Sequence, residues 1–165
     1  MLLALFGACA LALAPSAFAA DYSLANGTVK FSAPDVWPLL MEKADGTRQF
    51  VALQVKIPGD SNALARITVT TEQVDGLAGF QTFLNAGTAR ARKLPGYTAV
   101  SSPGSTSSMR YTASENHEKN AYSETYAYRS NLAIQVRCVR PASAPADWMA
   151  TFDAGCQSIV TAIEH

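Results

Sequence analysis

The sequence predicts an α+β domain, a mainly antiparallel sheet with a long central helix and a C-terminal helix packed on it. Three observations lead there. Two-residue apolar alternation recurs in several segments separated by short turn signals, as in hairpins and meanders. One long helical stripe interrupts them. A second apolar stripe closes the chain. Strands that arrive in hairpins favour an antiparallel sheet with helices laid on it over a parallel βαβ arrangement.

Thr28 to Ala33 reads as a short strand after the Asn26-Gly27 turn signal. Pro34-Asp35 then opens a segment with Val36, Trp37, Leu39, Leu40 and Met41, which reads as one or two helical turns ending at Asp45-Gly46. From Phe50 to Ile57, Val51, Leu53, Val55 and Ile57 alternate with Gln54 and Lys56. Pro58-Gly59-Asp60 turns the chain into a second strand, Leu64 to Glu72, and the two make a hairpin.

Asp75 reads as the N-cap of the central helix. Leu77, Phe80, Leu84, Gly87, Ala91 and Leu94 recur at spacings of three and four. Arg90, Arg92 and Lys93 place positive charge in the last turn, and Pro95-Gly96 stops it. Tyr97 to Val100 is a short strand, and Ser101 to Ser108 a Ser/Gly/Pro-rich loop. Met109 to Ser114, Tyr122 to Arg129 and Leu132 to Val139 form a meander, with Ser130-Asn131 as a tight turn. After a linker from Pro141 to Pro145, Asp147 caps the last helix, whose stripe is Trp148, Phe152, Cys156, Ile159 and Ile163.

The start of the chain is an address. Met1 to Leu13 is uncharged and apolar, and Ala17-Phe18-Ala19 follows Pro15 as a small-x-small cleavage site. The run is shorter than the about 20 apolar residues of a membrane span. Residues 1–19 are therefore expected to be a signal peptide and 20–165 a single domain, periplasmic or secreted. Two features depart from the pattern. No Lys or Arg precedes the apolar run, as when the true start codon lies upstream of Met1. Phe6-Gly7-Ala8-Cys9 loosely resembles a lipobox, but the apolar run continues past Cys9, which favours cleavage near Ala19 over lipidation.

Without the leader, Cys138 and Cys156 are the two remaining cysteines. Outside the cytosol they are expected to pair. Cys138 shares a strand face with Leu132, Ile134 and Val136, and Cys156 lies in the last helix stripe, so both point into the core. Their spacing is not that of a redox C-x-x-C pair.

The 13 basic and 13 acidic residues balance. That neutrality argues against a nucleic-acid binder, which needs a basic face, and against electrostatic docking on anionic lipid.

Val29-Lys30-Phe31-Ser32-Ala33-Pro34 with Trp37, the hairpin ending Ile67-Thr68-Val69, the helix around Phe80 and the closing helix Phe152 to Ile159 together resemble the PsbP-like, or Mog-type, family. The resemblance rests on element order and a few residue types. It implies a PsbP-like sandwich and a non-enzymatic binding or assembly role. It transfers no functional residue.

No catalytic constellation stands out. His117, in Glu115-Asn116-His117-Glu118, has a carboxylate beside it but not the three or four convergent ligands of a zinc site, and it reads as a solvated turn. The serines lack a G-x-S-x-G setting, and Ser101 to Gly104 has no phosphate-loop Lys. No cofactor or metal is implied. Tyr111, Tyr122, Tyr126 and Tyr128 are the notable residues. Glu124 shares the strand face of the last three. Tyrosines of this kind serve either sheet packing or a recognition surface. Trp37, between Pro34 and Pro38, divides the same way, as a plug or a groove wall.

The expectation is a small exported binding module that acts by protein contact, in its specific form an immunity or inhibitor protein. The alternative is a carrier of a small hydrophobic ligand in a pocket between sheet and helix.

Overall fold

The computed structural model describes residues 19–100 and 107–164, with the backbone alone for 60–64. Residues 1–18 of the expected leader, the Cys9 alternative, positions 101–106 of the Ser/Gly/Pro loop and His165 lie outside the described residues.

Nine strands and two helices follow in the order β1 (Ala19–Leu24), β2 (Val29–Pro34), β3 (Leu39–Asp45), β4 (Arg48–Ile57), β5 (Asp60–Gln73), α1 (Gly76–Arg92), β6 (Thr98–Val100), β7 (Ser108–Glu115), β8 (Glu118–Arg129), β9 (Leu132–Pro141) and α2 (Ala146–Glu164). β1 and β2 form a separate hairpin, and the other seven make one sheet in the order β3-β4-β5-β9-β8-β7-β6. Every pairing is antiparallel. The α+β class, the mainly antiparallel sheet and the central and C-terminal helices are as the sequence predicts.

Alternation assigns the two faces of the sheet. Val51, Leu53 and Val55 of β4, Ile67 and Val69 of β5, and Ile134, Val136 and Cys138 of β9 point to one side. There they meet Phe152, Ile159 and Ile163 of α2 and the β1–β2 hairpin, in a continuous buried core. Burying each such side chain contributes roughly 1.5–3 kcal/mol. The opposite face carries Gln135, Tyr126 and Tyr128, and α1 lies over them, with Phe80 against Tyr128 and Phe83 against Tyr126.

The Cys138–Cys156 disulfide joins β9 to α2 across a Cα–Cα distance of 6.3 Å. It locks the last helix onto the sheet. Trp37 plugs the other flank of α2, its ring 6.3 Å from that of Phe152 and against Gly155, where a Cβ would fall on the indole.

β1, which the sequence pattern does not single out, pairs with β2 from Ala19–Pro34 to Leu24–Val29. Two expectations need correction. The segment 36–41 is not helical. Pro38 interrupts the donor ladder, a single turn closes from Trp37 N to Pro34 O at 2.8 Å, and the chain then joins the sheet as β3. In α1, Asp75 makes no side-chain cap. Only Gly87 and Ala91 of its stripe are fully buried, and Leu77 is 69% exposed, because α1 rests on the rings of β8 and not on a full apolar layer.

Candidate functional site

The chemistry-bearing residues gather on the α1 face of β7, β8 and β9. The two-residue period of β8 puts Tyr122, Glu124 and Tyr126 on that face. The ladder then sets Tyr111 of β7 opposite Tyr122, and Arg137 and Gln135 of β9 opposite Glu124 and Tyr126. Glu124 is fully buried.

A buried carboxylate is tolerated only when its lone pairs are filled and its charge is balanced. Tyr111 Oη donates to Glu124 Oε1 at 2.6 Å and Tyr126 Oη donates to Oε2 at 2.5 Å. Gln135 Nε2 donates to Oε2 at 2.6 Å and to the Tyr126 oxygen at 2.8 Å. Arg137 Nε sits 3.1 Å from Oε1 and Arg90 Nη2, from α1, 3.5 Å from Oε2. The Arg137 N–H is not aligned on an acceptor, so that contact is an ion pair more than a hydrogen bond. Its guanidinium also lies 5.2 Å from the centre of the Tyr122 ring, which stacks on Tyr111 at 4.6 Å and 6°.

A second carboxylate extends the network. Tyr122 Oη donates to Glu115 Oε2 at 3.1 Å, and Arg66 Nη2 reaches both Glu115 oxygens, at 2.7 and 2.5 Å. Burial pushes the Glu115 carboxyl upward, but the Arg66 guanidinium and the Tyr122 hydroxyl outweigh it and hold it below the usual range. Burial, joined by Glu115, pushes Tyr122 up to about 12. Burial and Glu124 push Tyr111 and Tyr126 higher still. At neutral pH these phenols are donors, and each donor has an acceptor. The arrangement balances charge inside the sheet and ties α1 to it through Arg90.

Tyr111, Tyr122, Tyr126, Tyr128 and Trp37 are the residues the sequence offers for an interaction surface, and the first three with Trp37 do not form one. The structure buries all four, so they pack the sheet and plug α2; Tyr128 is partly exposed and donates to Asn131 Oδ1 at 2.7 Å. The two-residue period of β8 already puts Glu124 on the tyrosine face. The signal was there: an acid between two tyrosines on an inward strand face must find partners. Gln135, Arg137, Glu115 and Arg66 come together only through strand register. His117 sits exposed at the β7–β8 turn with φ 66°. Among the described residues no cluster of three metal-ligating side chains occurs, and no helix is long and apolar enough to cross a membrane.

The exposed chemistry lies elsewhere. β3 is one outer strand of the sheet, and Val36, Leu39, Leu40 and Met41 are 75%, 47%, 48% and 54% exposed. A register shift between Leu39 and Met41 bulges the strand there. Glu42, Lys43 and Asp45 follow, with Lys43 paired to Asp45 at 3.2 Å.

The fold is similar to that of LpqN. That protein of Mycobacterium tuberculosis, described as involved in cell envelope biogenesis, aligns with a TM-score of 0.51 at 15% identity, covering 86% of this chain and 87% of LpqN. The likeness is one of fold alone. A Pseudomonas aeruginosa protein of unknown function, PA94, aligns at 0.49 with 16% identity, covering 87% and 94% of the two chains. Cyanobacterial PsbP from Synechocystis sp. PCC 6803 aligns at 0.48 with 14% identity over 92% and 96%. No family model matches the chain, and no curated protein does.

Proposed function

We propose that this protein is an exported, non-catalytic binding module that docks a partner protein along β3. The carrying observation is the run of exposed apolar side chains at Leu39, Leu40 and Met41 on an outer strand, with Val36 in the turn just before it. An outer strand offers unpaired backbone donors and acceptors, and an extended partner segment can add to it as a further strand. The charges of Glu42, Lys43 and Asp45 on the second half of β3 guard it against indiscriminate pairing. The acid–base groups of the interior support a non-catalytic role, since each is engaged by another side chain. The disulfide fits export, and a rigid clamped domain suits the specific form of an immunity or inhibitor protein.

A hydrophobic carrier is less well supported. Under β4, β5 and β9 the seam between sheet and α2 is filled by Phe152, Ile159, Ile163 and their sheet neighbours, and where it opens, over β7 and β8, it is floored by Ser108, Thr112, Ser123 and Thr125 and not by the apolar side chains a hydrophobic ligand needs. The test is affinity capture from cell-envelope extract with the parent and with the double variant Leu39→Asp, Met41→Asp. A stoichiometric partner captured by the parent and lost by the variant is expected. No stoichiometric partner, or one captured equally by both, overturns the reading.

A further inference from the structure

We infer that the groove between α2 and the β7–β8 half of the sheet binds a small polyhydroxylated carboxylate of the sugar-acid class. The groove is on the face opposite the Glu124 network and has a volume of about 450 Å³, within the range of small-molecule sites. Its floor is chemically unusual for a sheet surface facing a helix. The cross-strand pairs there are Ser108–Thr125, Arg110–Ser123 and Thr112–Ala121, small and mostly hydroxylated where β4, β5 and β9 present Val, Leu and Ile. Small side chains leave the trough open, and hydroxyls line it with groups that both donate and accept.

Arg110 stands in the middle of that floor. Its neighbours among the groove's charged residues are already matched or distant. Arg140 holds Asp153 with two bonds, Nε to Oδ1 at 2.8 Å and Nη2 to Oδ2 at 2.9 Å. Glu164, at the end of α2, makes no ion pair with Arg110 within 4 Å. Among the described residues Arg110 has no carboxylate partner and no side-chain hydrogen bond, and it is exposed. A guanidinium left free beside hydroxyls offers a planar fork to one carboxylate. The four hydroxyls beside it match the hydroxyls of a sugar ring. Phe152, Val160 and the Cys138–Cys156 bridge form the back wall, an apolar surface for the face of such a ring. One guanidinium matches one carboxylate, so the site calls for a monoanion.

The test is a titration of ¹⁵N-labelled protein with glucuronate, with glucose and acetate as separate arms. Saturable shifts confined to amides of β7, β8 and the middle of α2 are expected with glucuronate, with a dissociation constant of about 1 mM or tighter. Glucose and acetate are each expected to bind at least tenfold more weakly. Arg110→Gln, an exposed change that spares the fold, is expected to weaken glucuronate at least tenfold. No saturable shift at about ten times that concentration overturns the inference. So does glucuronate binding that Arg110→Gln leaves intact, or acetate binding as tight as glucuronate. None of these results bears on docking along β3.

Discussion

Replacing Glu124 with Gln removes one charge and almost no volume, so its effect isolates what the buried carboxylate does. In the parent it accepts from Tyr111, Tyr126 and Gln135 and balances Arg137 and Arg90. An amide at the same place turns one acceptor into a donor. Facing Gln135 Nε2 it meets another donor, and facing Arg137 it meets a cation. Breaking a buried pair by removing one partner costs about 3–5 kcal/mol when the survivor stays dry. The side chains of Arg137 and Arg90 keep 22% and 44% exposure, so water relieves part of the loss and the low end, about 3 kcal/mol, is expected. For a domain of this size that lowers the melting temperature by about 6–12 °C. Circular dichroism melts and urea titrations at neutral pH measure it directly. Tyr111→Phe, which deletes one donor and leaves the charges paired, should cost about 1 kcal/mol. A Glu124→Gln variant within about 0.5 kcal/mol of the parent, the span of an ordinary surface change, would refute the reasoning.

Three further predictions concern the clamp, the plug and the second carboxylate. Cys138→Ser with Cys156→Ser, which opens a bridge of sequence separation 18, should cost about 3 kcal/mol in urea titrations; an unchanged midpoint would show that the helix does not need the clamp. Gly155→Ala should destabilise by about 1–3 kcal/mol, since the new Cβ falls on Trp37. At a free helical position the same change stabilises by about 1 kcal/mol, so a gain in a thermal melt contradicts the packing described. Because Glu115 is held below its ordinary value of 4.5, its contribution is full above that pH and is lost as pH falls through the lower folded value. Urea midpoints followed from pH 6 to pH 3 should therefore fall less steeply in Arg66→Ala than in the parent, and parallel slopes would remove Arg66 as the cause.

How much of this could be read from the chain depends on the range of the interactions. Alternation in β4, β5 and β9 reports burial on one face, a local property, and those strands lie where the pattern puts them. The disulfide was legible for the same reason, because each cysteine sits on an apolar face of its own element. The run 36–41 misled because five apolar residues in six positions look alike as a buried turn or as an outer strand. What separates the two is the ladder offered by β4, which is not local. The tyrosines were recognised as unusual, but their inward direction follows from α1 lying over β8. Glu124 was visible on their face, yet its partners Gln135 and Arg137 are set by the pairing register of β8 with β9, which no single segment encodes.

Site-specific photo-cross-linking in cells of the source organism tests docking along β3. A photoreactive residue at position 40, on the outer strand, is compared with one at position 77, which is more exposed still, on α1. One discrete protein adduct from position 40, lost when Leu39 and Met41 are both changed to Asp, and none from position 77, is the predicted result. Adducts from neither position, or the same adduct from both, would contradict it.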